Sequence, residues 1–186
     1  MTDALSADDP YYLALGLFID MFANVETHLQ VFVWNLSGTK PDVARALFRS
    51  NSSGVDAAKQ TIRKLFEAKG FTEPDLFKDA IDQLAKIAAA RNLIVHYGSN
   101  IFDEDIGSCA RIVTNHIHEA VPGKVKRLRV TPELLRGMVD DLGLINFRIS
   151  HFEIKYILGS PIDEAEWLPM LKPGHKWSYV VPHKGK

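Results

Sequence analysis

Disulfides, an excess of charge of either sign and a charge-free apolar run are all missing from this chain, and each absence removes a class of function. The single cysteine, Cys109, cannot close an intramolecular bridge or build a multi-cysteine zinc site. That excludes a disulfide-rich secreted scaffold, and with no catalytic partner next to it in sequence Cys109 reads as a structural thiol. Lys and Arg total 22 against 23 Asp and Glu, so net charge supplies no argument for coating nucleic acid or lying on a membrane. The most apolar stretch, from Tyr11 to Leu36, contains Asp20, Glu26 and His28. Charges near the centre of a lipid-exposed helix are costly, so a buried helix and no membrane partner are expected. The first residues carry Asp3, Asp8 and Asp9 where a targeting peptide would be basic, which points to a cytoplasmic protein.

What is present is 186 residues, 46% of them hydrophobic. A chain of that length buries roughly two-thirds of its unfolded surface and needs neither disulfide nor metal to hold a core. The apolar residues are periodic. Leu15, Phe18, Phe22, Val25, Leu29, Phe32 and Leu36 alternate three and four apart, the signature of one helix face. Asp9 is placed to cap that helix, Pro10 to open it and Ser37-Gly38 to stop it. Leu135, Met138, Leu142, Ile145, Ile149, Phe152 and Tyr156 repeat the pattern behind Thr131 and Pro132, up to Gly159-Ser160-Pro161. Between these two helices the spacing predicts three more. A short one near Pro41 carries Val43, Leu47 and Phe48. A medium one over 53–69 turns Val55, Ala58, Ile62 and Leu65 inward. A longer one from Pro74 to Gly98 has Phe77, Ile81, Leu84, Ala88 and Val95 on its stripe. The expected fold is mainly α, a five-helix up-and-down bundle over residues 1–158.

Two segments depart from that pattern. Residues 109–130 hold two arms rich in β-branched side chains around Val121-Pro122-Gly123, a β-hairpin inserted in the helical domain. It is the most basic part of the chain, with Arg111, Lys124, Lys126, Arg127 and Arg129 against Glu119. Alternating cations either solvate the outer face of an edge hairpin or contact phosphates. From Gly159 to Lys186 the chain holds four of its nine prolines and two of its three tryptophans, Trp167 and Trp177. Indoles are costly to leave in water, so this arm should pack on the bundle or on a second subunit.

The helix from Pro74 ends in Arg91-Asn92-Leu93-Ile94-Val95-His96-Tyr97. At about 100° per residue, Asn92 and His96 share a face and Arg91 stands about 140° from His96. An imidazole is suited to take a proton from a ribose 2′-hydroxyl or give one to a leaving oxygen. A guanidinium holds a phosphate through its planar fork and stabilises charge in the transition state. Asn92 is placed to orient either group, and no metal is required by this chemistry. The same spacing recurs at Arg111 and His116 without a helical context. An Arg and a His near a helix C-terminus also satisfy terminal carbonyls, so a capping role stands beside the catalytic one.

Arg91-Asn92-x3-His96, at the end of the fourth helix of five, resembles the motif of the HEPN superfamily, the higher eukaryote and prokaryote nucleotide-binding domain. The likeness covers about residues 10–158 and extends to Phe22, Glu26 and Leu29 on the first helix. It implies a metal-independent, cofactor-free endoribonuclease with Arg91 and His96 as catalytic pair, Asn92 beside them, and 2′,3′-cyclic phosphate and 5′-hydroxyl products. It further implies a homodimer through the helix ending in Arg91–His96, RNA as substrate, and a toxin, phage-defence or RNA-processing role with a cognate antitoxin or partner protein. Some members bind a nucleotide, an anion or a protein without catalysis, and that alternative stays open. Glu26 flanks the first stripe, where a buried carboxylate calls for a cation such as Arg91; Tyr97 is placed to stack a base or to pack. His28, His116, His118 and His151 read as surface or satisfied core histidines. His116 and His118 lack an evident third ligand, so no metal is expected.

Overall fold

The computed structural model describes residues 10–40, 42–43, 54–97, 101–102, 111–114 and 127–181. The described residues are mainly helical: α1 Pro10–Ser37, α2 Val55–Ala68, α3 Asp75–Tyr97, α4 Pro132–Glu153 and α5 Glu164–Leu171. Three short strands, β1 Ile101–Phe102, β2 Arg111–Thr114 and β3 Arg127–Val130, pair antiparallel in the order β1-β2-β3. None of the described helices is long and apolar enough to cross a membrane. Of the expected short helix near Pro41 only Asp42 and Val43 are described. Leu47, Phe48, the capping Asp9, Cys109, the hairpin turn, Glu119, His116 and His118 lie outside the described residues.

Two compact units divide the chain. One takes residues up to Met21, Lys86–Asp141 and the stretch from Ser178; the other takes Phe22–Ala85 and Leu142–Trp177. Helices α1, α3 and α4 each contribute a part to both.

In the second unit the core is aromatic. Phe77, fully buried on α3, has ring centroids of Phe32, Phe66 and Phe152 at 5.2, 5.6 and 5.3 Å. Tyr156, half-buried beyond the end of α4, adds contacts to Phe66 and Phe71 at 5.8 and 5.3 Å. Tilted and edge-on rings at these separations add to the area that they bury. On α2 the buried residues are Val55, Ala58, Ile62 and Phe66. Leu65, expected inward, is half-buried; Phe66 takes the seat because 58, 62 and 66 keep a strict i, i+4 row. A salt-bridge cluster links α2 to α3, with Lys59 and Arg63 on Asp82, and Arg63 also reaching Glu73 before α3.

The stripe on α3 also differs from expectation. Phe77, Ala80, Ile81, Leu84, Ile87, Ala90 and Ile94 are buried, whereas Ala88 is half-buried and Val95 is 46% exposed. The step from Leu84 to Ile87 keeps the helical phase, and a seven-residue step then reaches Ile94.

Helix α4 opens as its residues dictate. Leu134 donates its backbone N–H to Thr131 Oγ at 3.1 Å, and Pro132 takes the first helical position. The exposed Glu133 carboxyl is held below its ordinary range by its own backbone N–H and then by the Thr131 hydroxyl. At its far end the helix widens into a π-turn, Ile154–Leu158, and closes on Gly159 at φ 60°, a left-handed conformation suited to glycine. The arm that follows includes a helix, α5, capped by Asp163, which accepts from the Ala165 N–H at 2.9 Å.

That arm is held by charge. Arg148 on α4 is fully buried. Its guanidinium donates to the carbonyls of Leu171 and Lys172 at 3.0 and 2.9 Å, to Leu76 O at 3.4 Å and to Asp79 Oδ2 at 2.8 Å. The Trp177 ring lies 5.0 Å from the guanidinium carbon, and its indole N–H donates to Asp79 Oδ1 at 3.0 Å. One cation thus binds the last carbonyl of α5, at Leu171, and that of its C-cap residue Lys172. Trp167 stacks on Phe147 at 5.4 Å and lies 5.2 Å from the buried His151 ring.

In the first unit, Asp141, also fully buried, accepts the backbone N–H groups of Ser178 and Tyr179, each at 2.9 Å. Gly137 on the same helix has Ser178 so close that an added Cβ would sit 3.1 Å from the Ser178 Cβ.

Replacing Arg148 with Met should lower unfolding free energy by roughly 3 kcal/mol, the low end for losing a buried charged partner, because water reaches the half-exposed Asp79. Urea denaturation measures it; a loss under about 0.5 kcal/mol, the scale of a neutral surface change, would remove Arg148 from its central place. A second expectation concerns Tyr179, whose phenol is pushed up from 10.0 by burial. Its stabilising contribution is complete below the unfolded pKa of about 10 and is lost as pH rises through the higher folded value. Tyr179→Phe should therefore flatten the alkaline limb of stability between about pH 9 and 11, read by denaturation at each pH.

Candidate functional site

Helix α3 continues in regular α geometry through Tyr97. The angular offset of Arg91 from His96 is therefore that of an undistorted helix, about 140°. Asn92, Val95 and His96 are exposed, Ala89 with them, and Arg91 is half-buried at the rim of the arc they form. The arc exists because Ile87, Ala90 and Ile94 take the buried phase of this helix. Whatever falls between those positions must face outward.

Within the arc one interaction is direct. Arg91 NH1 donates to Asn92 Oδ1 at 3.1 Å. The asparagine carbonyl thereby orients the guanidinium, and its amide side is left for another acceptor. Asn92 and His96, four residues apart, stand one above the other. The side chain of Tyr97 lies outside what is described. The first unit includes Arg91, Asn92 and His96; Glu26, half-buried on α1, belongs to the second.

The basic residues of the expected hairpin divide. Lys124 and Lys126 lie outside the described residues. Arg111 pairs with Val130, Ile112 with Arg129, Val113 with Leu128 and Thr114 with Arg127. Directly paired residues share a face of the sheet, and the face alternates along each strand. Val113, Leu128 and Val130 are buried, and Arg111 occupies a register position on that same face; Arg129 is exposed on the other, with Arg127 two positions away. Arg111 and Arg129 therefore hold register positions on opposite faces of the sheet. β1, absent from the sequence expectation, adds Ile101 opposite Ile112 and Phe102 opposite Arg111.

A second polar cluster lies in the other unit, and periodicity alone does not reveal it. His28 Nδ1 meets Asn146 Oδ1 at 2.7 Å and His28 Nε2 meets Glu153 Oε2 at 3.0 Å. Asn35 donates to Glu153 Oε1 at 2.7 Å. Both nitrogens of this imidazole are occupied, so neither is open to a substrate. The cluster ties α1 to the last α-helical residue of α4 before the π-turn. Among the described residues no three His, Cys, Asp or Glu side chains converge in a way that would hold a metal ion.

Compared with family models, with curated proteins and with solved structures, the chain matches none. The chemistry of its own residues carries the functional reading.

Because Asn92 and His96 are exposed, their removal should cost the fold little. His96→Ala and Asn92→Ala should each change unfolding free energy by less than about 0.5 kcal/mol in thermal or urea denaturation. A loss above about 1.5 kcal/mol, beyond what an exposed site can cost, would make the turn a structural cap.

Proposed function

We propose that the chain is a metal-independent endoribonuclease of HEPN type, acting at the exposed arc that ends α3. The observation carrying this reading is the disposition of three side chains on one helix end: Arg91 bonded to Asn92, with His96 one turn beyond Asn92 and open to solvent.

In this reading Arg91 holds a phosphodiester through its fork while Asn92 keeps the guanidinium in place. His96 takes the proton from the ribose 2′-hydroxyl, and the 2′-oxygen attacks phosphorus. The bond from phosphorus to the 5′-oxygen breaks. That oxygen leaves with a proton returned by a second imidazole or by water, giving a 2′,3′-cyclic phosphate and a 5′-hydroxyl. The second imidazole comes from a second copy of the chain, whose α3 brings the same three residues. The apolar Val95 and the small Ala89 in the arc suit close approach of two helices. Tyr97 acts in support, and the basic residues of 109–130 contact the RNA backbone. A role as toxin or phage-defence effector, controlled by an antitoxin or another partner, fits such an enzyme working in the cytoplasm.

Purified protein incubated with structured RNA and excess chelator, beside His96→Ala and Arg91→Ala, tests this. Cleavage should persist with chelator, leave cyclic phosphate ends and fall by at least about 10²-fold in either variant, the scale of a lost general base. Equal cleavage by wild type and variants would assign it to another site or a contaminant. Retained RNA binding with no cleavage by the wild type would leave the non-catalytic binding module in its place.

A further inference from the structure

The arm from Gly159 to Trp177 belongs wholly to the second unit, and little apolar surface holds it there. Leu171 is the one buried side chain among those described in it. Ile162, Trp167, His175 and Trp177 are half-buried, and the other described ones are exposed. Ordering each residue costs conformational entropy, which one buried leucine offsets only in small part over a segment of this length. Closure therefore rests on directional bonds. The Leu171 and Lys172 carbonyls accept from Arg148 Nε and Nη2, Trp177 lies over the guanidinium and donates to Asp79, and Trp167 stacks on Phe147.

We propose that residues 160–177 form a strap that opens as one piece while the rest of the second unit stays folded, with Arg148 as its latch. The partners of Arg148 divide into two sets. Leu171, Lys172 and Trp177 belong to the arm, whereas Asp79 and the Leu76 carbonyl belong to α3. When the first set leaves, the guanidinium keeps its carboxylate and water takes the vacated donors, so no buried charge is stranded. Gly159, exposed and left-handed, stands at one end and is free to absorb a change of backbone angle. Just past the other end, Asp141 accepts from Ser178 and Tyr179. Local opening draws on segments with few buried contacts and hydrogen bonds at the surface. The arm meets both conditions, and its Ala165–Asp163 bond is exposed. Opening bares Phe147, Arg148 and His151, which Trp167 and the two carbonyls now cover. The strap thus governs access to an aromatic ring, a guanidinium and an imidazole within about one turn of α4. None of this depends on ribonuclease activity.

Hydrogen exchange of the full-length protein at low urea, followed by mass spectrometry, reads the opening segment by segment. Peptides from 160–177 should exchange through an open state at least about 10²-fold more populated than the one that exposes α4 peptides over 142–153. They should still exchange well below the unprotected rate, because the closed strap predominates. Trp177→Leu removes the indole bond to Asp79 and the ring over Arg148. It should raise the open population of the arm on the order of tenfold and leave α4 unchanged. Arg148→Lys keeps a cation for Asp79 but loses the fork, and should act in the same direction. Should Arg148→Lys fail to fold, Trp177→Leu, on the arm itself, carries the test. Equal protection of the arm and α4 overturns the proposal, as does a Trp177→Leu protein in which both loosen alike, since the arm would then be part of one cooperative body. Exchange of the arm at the unprotected rate overturns it as well, because nothing would then be latched.

Discussion

A guanidinium taken completely out of water has to be satisfied from every side, and Arg148 imposes that requirement on the unit it belongs to. It donates four hydrogen bonds, to two carbonyls at the end of α5, one carbonyl at the start of α3 and the Asp79 carboxylate, with an indole face alongside. Removing any of these partners leaves part of a buried charge without compensation, which is far costlier than losing a surface ion pair. The π-turn after α4, the left-handed Gly159, the short α5 with its internal Pro169 and the approach of Trp177 all belong to the path that brings Leu171 and Lys172 to Arg148. In the other unit Asp141 solves the complementary problem, a buried carboxylate satisfied by two backbone N–H groups of the terminal stretch. Cation and anion each receive the opposite pole of the peptide group.

The candidate site is governed by the contrary condition. The end of α3 keeps Arg91, Asn92 and His96 away from full burial because Ile87, Ala90 and Ile94 monopolise its inward phase. The same periodicity that packs the helix thus sets out the exposed arc. The Arg91–Asn92 bond ties the guanidinium to its neighbour along the helix. The His28 cluster is the instructive contrast. It unites an imidazole with a carboxylate and amides, and both ring nitrogens are consumed within it. Residue type alone does not tell which histidine keeps its nitrogens for a ligand; their occupancy at His28 does.

Much of the helical skeleton was legible before any coordinates. The opening by Pro10, the cap by Thr131 and the stops at Gly38 and Gly159 stand as the spacing predicts, and so do the stripes of α1 and α4 except at Leu15, half-buried with Ala14 in the core in its place, and at Tyr156, half-buried in the π-turn. Errors arose where two apolar residues competed for one phase. Phe66 displaces Leu65, and Ile94 displaces Val95, because burial follows an unbroken three-and-four row and not the nearest apolar letter. Asp141 and Arg148 carried a signal that went unread. Both fall on the buried phase of α4, three residues after Met138 and Ile145, where a charge demands a specific partner. Their partners sit 38 and 23 residues along the chain, at Tyr179 and Leu171, separations over which periodicity is silent.

By itself the amino-acid order determined the local matters: the helices α1 to α4, the close of α1 and the opening of α4, most of the positions that they bury, and that Arg91, Asn92 and His96 gather at one helix end. Those outcomes depend on backbone sterics, capping and a period of 3.6, all decided within a few residues. Only the tertiary structure decided that the arm is anchored through Arg148 and Asp141. It also decided that β1 joins the strand pair, and that Arg111 parts company with Arg127 and Arg129 on the two faces of the sheet. Each of these turns on which distant backbone group meets a given side chain, and on a register in which a shift of one residue exchanges the faces.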